Sequence, residues 1–171
     1  LVTRTNTSTV AVGANGSIVV QNSGSFGTAA TKIGGLTIDG GSSLTVNSGS
    51  EAQFVFDSSV NDGTVIVNDG AYTTRGLYVG TSGGNGVVTL NGGATTYGTG
   101  NRPITIGGTS GTGLLELRGG TLQNGSTSGD MIVNETGTVE GYATVSGTAF
   151  AEISNSGRII ADGDGVERAL D

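Results

Sequence analysis

The side chains able to do acid–base or ligand chemistry are few and scattered. Eight Asp and six Glu stand singly along 171 residues, against seven basic groups of which one is a lysine, Lys32. There is no His and no Cys. Acid–base cleavage of a polysaccharide needs clustered carboxylates, often with a basic residue beside them. The densest charged series that spacing builds is Arg75, Arg102 and Asp130, at offsets of 27 and 28. This surface ladder reads first as a solvated corner, where an Arg–Asp pair contributes little. A glycan or subunit contact is the alternative reading.

Hard cations favour several oxygens on a glycine-flexible loop. Asp162, Asp164 and Glu167, in Asp162-Gly163-Asp164-Gly165-Val166-Glu167, form a weak calcium candidate on that ground. The loop lacks the ligand series of an EF-hand and the nonapeptide of calcium-binding β-rolls. No cofactor is therefore expected, with calcium at this loop as the open exception. Asn61-Asp62-Gly63 and Asn68-Asp69-Gly70 read as turns. Thr3, Thr5, Thr7 and Thr9 alternate as on a flat ice-binding face, but Tyr78, Thr105 and Ile132 break any such ladder later, so an exposed strand is preferred. Tyr72, Tyr78, Tyr97 and Tyr142 share no repeat position. No P-loop, serine elbow or Cys/His cluster is present.

The elements that would position these residues follow from composition and period. Gly alone supplies 34 residues, and Gly, Thr, Ser and Asn together supply just over half the chain, with one Pro, Pro103. These residues are poor in helix interiors, and without a Gly-X-Y period collagen is excluded. Disorder competes for such a composition. Against it, Leu, Ile, Val and Phe make up about a quarter of the chain, above the rough disorder guide. Mean hydropathy is +0.03. A net charge of −7 disfavours nucleic acid and anionic membranes. No apolar run approaches the roughly 18 residues of a membrane helix. The chain opens at Leu1-Val2-Thr3 and reads as a mature or excised segment.

The apolar residues come in short bursts that repeat. Leu77-Tyr78-Val79-Gly80 returns at an offset of 27 as Ile104-Thr105-Ile106-Gly107, and again at the same offset as Met131-Ile132-Val133-Asn134. Val88-Thr89-Leu90-Asn91-Gly92-Gly93 likewise returns as Leu115-Glu116-Leu117-Arg118-Gly119-Gly120. Looser copies are Leu36-Thr37-Ile38, Leu44-Thr45-Val46 and Val65-Ile66-Val67, each followed by an Asx/Gly turn. A strand of three or four residues sends alternate side chains inward, and Asn or Gly makes the corner that ends it. A face that returns at offsets of 21 to 28, with two or three strands per turn, predicts a parallel β-solenoid. Leu77, Ile104 and Met131 should stack inside, as should Val79, Ile106 and Val133, Val88 with Leu115, and Leu90 with Leu117. Tyr78, Thr105, Thr89 and Glu116 should face out. With a coil length in the middle of that range the chain makes about seven coils in one domain, 1–171, with its clearest repeats at 77–103, 104–130 and 131–157.

Gly76 to Gly80, Gly86 to Gly93, Ile104 to Gly107 and Gly113 to Gly120 together resemble the repeats of bacterial secreted and autotransporter passenger proteins. The tail around Ile153-Ser154-Asn155-Ser156-Gly157 is similar to steps of the same proteins. The resemblance implies an all-β, right-handed parallel β-helix at the bacterial surface or outside the cell. Such proteins serve as adhesins, stalks and fibres, and some act on polysaccharides. The residues carry no catalytic motif to transfer. The expected function is therefore a non-enzymatic structural solenoid that builds or extends a surface fibre. An adhesin module binding glycans or a host surface ranks second and a polysaccharide-active enzyme third. A solenoid end invites stacking by another chain. Leu1 and Val2 at one end, and Val166 and Leu170 at the other, are the candidate self-assembly residues. Membrane insertion by this segment is not expected.

Overall fold

Alternating apolar triplets bounded by positive-φ corners leave the chain one way to bury its side chains, which is to wind and stack on itself. The computed structural model of the chain describes residues 9–13, 15–28, 33–97, 102–125, 129–147 and 152–161. Every strand pair is parallel, and no helix occurs among the described residues. The first turn holds Thr9–Val12 (β1), Ser17–Val20 (β2) and Ser25–Phe26 (β3). The second holds Gly35–Ile38 (β4), Ser42–Val46 (β5) and Glu51–Gln53 (β6). The third holds Ser58–Val60 (β7), Gly63–Asn68 (β8) and Ala71–Thr73 (β9), and the fourth Leu77–Val79 (β10), Gly84–Asn91 (β11) and Ala94–Tyr97 (β12). In the fifth, Ile104–Ile106 (β13) leads into one long strand, Gly111–Asn124 (β14), that bends round a corner to cover two sides. Met131–Val133 (β15) and Gly137–Gly147 (β16) do the same in the sixth, and Ile153–Asn155 (β17) with Arg158–Ala161 (β18) begin another.

The result is a three-sided β-solenoid of about six turns. Face A is the seven-stranded series β1-β4-β7-β10-β13-β15-β17. Face B runs β2-β5-β8-β11-β14-β16-β18, and face C runs β3-β6-β9-β12 and on into the second halves of β14 and β16. The expectation of about seven coils divided the whole chain by one coil length, whereas the strands among the described residues run from Thr9 to Ala161. At about 4.8 Å per rung the rod is roughly 29 Å long.

The core is a set of ladders along the rod axis. Leu77 pairs with Ile104 and Ile104 with Met131, while Val79, Ile106 and Val133 pair likewise. Val88 pairs with Leu115, and Leu90 with Leu117. All ten of these side chains are buried, as their inward positions require. The coil beginning at Met131 is shorter, because Met131 pairs with Ile153, so the offset of 27 holds for two consecutive steps only. Face C carries the bulk that the sequence pattern shows least clearly. Phe26, Phe54 and Tyr72 stack with ring centroids 5.9 and 5.7 Å apart. In the third turn Ser58 takes the place held by Leu36 and Leu77 on either side. Tyr72, from face C of that same turn, is turned toward it.

The corners depend on glycine where coils approach most closely. Gly80 has φ +64, and a Cβ there would lie 1.9 Å from the carbonyl oxygen of Thr112 in the next coil. Both the backbone conformation and the contact demand glycine.

Candidate functional site

Three clusters carry the polar chemistry of the described residues. The first lies at the corner from face C into face A. Residues just before each face A strand stack there, so the pairing of Leu77 with Ile104 sets Arg75 beside Arg102. The guanidinium of Arg75 donates to the two carboxylate oxygens of Asp57 at 2.9 and 3.3 Å, and lies 5.3 Å over the ring of Phe56. The hydrogen bond to Asp57 raises the pKa of Arg75 above its ordinary value, against the opposing effect of burial. Gly76 makes this packing fit. A Cβ there would meet the Cβ of Arg102 at 2.9 Å, the Oδ1 of Asp57 at 3.1 Å and the ring edge of Tyr78 at 3.3 Å. Arg75 and Arg102 are thus brought together as their spacing suggested. Asp130 falls one register step away, where its carbonyl accepts from the Ile104 N–H at 2.9 Å. Among the described residues no ion pair joins Asp130 to Arg102. The partner of Arg75 is Asp57, at an offset of 18, because that coil is shorter than the repeat and a fixed spacing passes over it.

The second cluster lies on the outer side of face B. The Thr89 hydroxyl donates to Glu116 Oε2 at 3.0 Å, and Arg118 pairs with Glu116 Oε1. Both oxygens of this carboxylate are therefore held. Glu116 stacks directly on Glu140, and Arg118 on Tyr142. The repeat signals the Thr89–Glu116 step, but Glu140 follows Glu116 at a shorter offset and escapes that signal. Among the described residues no group of three or more carboxylates converges as a metal site would require.

The third feature runs along the corner between faces B and C. Asn68 donates its Nδ2 to Asn47 Oδ1 at 3.0 Å, and Asn91 donates to Asn68 Oδ1 at 2.9 Å. These are the asparagines that follow three of the apolar triplets. Each turn residue also clamps its coil to the next, as in the asparagine ladders of stacked strands. At the corner from face A into face B, the Asn134 side-chain amide donates to the Gly107 carbonyl at 2.8 Å.

Inside the rod sits a group of buried hydroxyls. Ser58 donates to Thr74 Oγ1 at 2.9 Å, and the Thr74 hydroxyl lies 2.9 Å from the Gly76 carbonyl. The Tyr72 hydroxyl is fully buried and makes no hydrogen bond of ordinary geometry, although Ser58 is near it. Burial drives its pKa well above the ordinary tyrosine value, and the Ser58 hydroxyl offsets part of that rise. Thr95, which pairs with Tyr72 one coil on, also has a buried unpaired hydroxyl.

The calcium candidates Asp162, Asp164 and Glu167 lie outside the described residues, as do the end residues Leu1, Val2, Val166 and Leu170. The described ends are β1 at one side and β17 with β18 at the other. There Ile153 occupies the inward ladder position of Met131 yet is 54% exposed.

The architecture defines the chain as a β-solenoid repeat protein. No protein-family model matches it, and no curated protein or solved structure is significantly similar to it.

Proposed function

We propose that this chain is a non-enzymatic structural module of the bacterial cell surface or the extracellular space, a rod that builds or extends a fibre or stalk in the manner of an autotransporter passenger. One observation carries the reading. The parallel pairing on faces A and B runs through every described turn, with Ser58 as a polar rung on face A, so each coil is held by the next along the same walls. In such an array stability and length grow by nearest-neighbour addition. A coil is then a unit of length, which suits a spacer.

Two experiments test this. Immunogold labelling of intact source cells should decorate the surface, and labelling seen only after permeabilisation would refute the location. Inserting four further copies of the coil 77–103 should leave a folded protein and lengthen it by about 19 Å in small-angle X-ray scattering, at about 4.8 Å per rung. An unfolded product, or an unchanged length, would refute the role as spacer. Specific retention on a glycan array would move the function to adhesion.

A further inference from the structure

We propose that the rod carries a joint between its third and fourth turns, at which the first three turns open together as a minor state while the later turns stay folded. The inference goes beyond the fibre reading and does not depend on it.

Three observations lead to it. The first is a change of core. On face C the rings of Phe26, Phe54 and Tyr72 tie the first three turns to one another, with centroids 5.9 and 5.7 Å apart. The series stops at Tyr72, because its partner in the fourth turn is Thr95. Thr95 in turn pairs with Leu122, where the wall is aliphatic. The rod thus has an aromatic section and an aliphatic section, and the two meet across a threonine.

The second observation is the chemistry at that meeting. The hydroxyls of Tyr72 and Thr95 are both buried, and neither makes a hydrogen bond of ordinary geometry. A buried hydroxyl without a partner costs stability, and opening the joint lets water reach both. On face A Ser58 stands against Leu77, so a leucine-sized contact is missing from the same interface. The Ser58 hydroxyl donates to Thr74 of its own turn at 2.9 Å. The aliphatic side chains that the third turn presents to the fourth are Val60, Val65 and Val67. The next interface is different. There Leu77 stands on Ile104 and Leu90 on Leu117, with Val79 and Val88 likewise matched to aliphatic partners.

The third is what does cross the joint. Asn91 donates to Asn68 at 2.9 Å, the Asn85 N–H donates to Asp62 Oδ1 at 3.2 Å, and Arg75 pairs with Asp57. All three contacts lie at corners, where water can replace either partner, so each adds little. In a stacked array every interface contributes separately, and a weak interior interface is where cooperative units divide.

Native-state hydrogen exchange of the whole chain, read by mass spectrometry in low urea, tests the joint. Amides of β4, β5, β7 and β8 should exchange through one shared opening, at least about tenfold more often than those of β10, β11, β13 and β14. Thr95→Val takes an unpaired hydroxyl out of the joint and should slow β4 and β5 about fivefold, although both lie two turns from residue 95. Ile106→Val weakens the aliphatic section alone. It should speed β10, β11, β13 and β14 about fivefold and leave β4 and β5 unchanged. One common protection across all eight strands would overturn the joint, and so would acceleration of β4 and β5 by Ile106→Val. A Thr95→Val protein in which β4 and β5 exchange as before would also overturn it, because the first turns would then fray one at a time. None of these outcomes bears on where the rod is found or on its use as a spacer, which keep their own tests.

Discussion

Asn68 offers the sharpest test of what clamps the coils together. Its side chain is the middle rung of a directed series, accepting from Asn91 at 2.9 Å and donating to Asn47 at 3.0 Å. Asn68→Ala removes both bonds, whereas Asn91→Ala removes one. A net side-chain hydrogen bond contributes about 0.5–1.5 kcal/mol. The asparagines are half-buried, so water replaces part of what is lost and the lower half of the range applies. Asn68→Ala should then cost about 1–2 kcal/mol and Asn91→Ala about half of that. The double variant should cost no more than Asn68→Ala alone, because both of its bonds are already gone. The shortfall from additivity is the Asn91–Asn68 bond itself. Urea unfolding of the four proteins, with unchanged m values, measures the cycle. A double variant whose cost equals the sum of the two singles would refute the ladder. So would an Asn68→Ala no more costly than Asn91→Ala.

Other expectations concern the core and the corners. Tyr72→Phe removes a fully buried hydroxyl that has no hydrogen bond of its own and should stabilise the rod by about 1 kcal/mol in urea unfolding; a loss of stability would show that the hydroxyl has a partner. Because burial raises the Tyr72 pKa above 10, the unfolded chain ionises first. The contribution is therefore complete below about pH 10 and falls as pH rises further, and Tyr72→Phe should remove this component from a stability-against-pH curve. Gly80→Ala sets a methyl against the Thr112 carbonyl at a positive φ and should cost more than about 2 kcal/mol by thermal unfolding, with a wild-type melting temperature refuting the close approach. Asp57→Ala should cost only about 0.5–1 kcal/mol and less at high salt, since both partners are a quarter or more exposed; a loss of several kcal/mol in urea unfolding would show that the pair holds the corner together.

Much of the rod was determined by the sequence itself. Alternation within each triplet assigns Leu77, Val79, Ile104 and Ile106 to the inside, because a strand turns successive side chains to opposite faces. The constant offset of 27 over two steps sets their stacking, and the glycines after the triplets mark where the chain must turn with positive φ. Only the tertiary structure decided the rest. Face C has no apolar triplet, since its inward series is Ala52, Tyr72, Thr95 and Leu122, and its place as the third wall follows from the pairing of β6, β9, β12 and β14. The Asp57–Arg75 pair and the asparagine ladder cross offsets of 18, 21 and 23. Coil length varies because a corner can gain or lose residues while the backbone hydrogen bonds of the strands keep their register. Contacts across coils are therefore set by the stacking of walls in space, and a fixed spacing along the chain finds them only where two successive coils share one length.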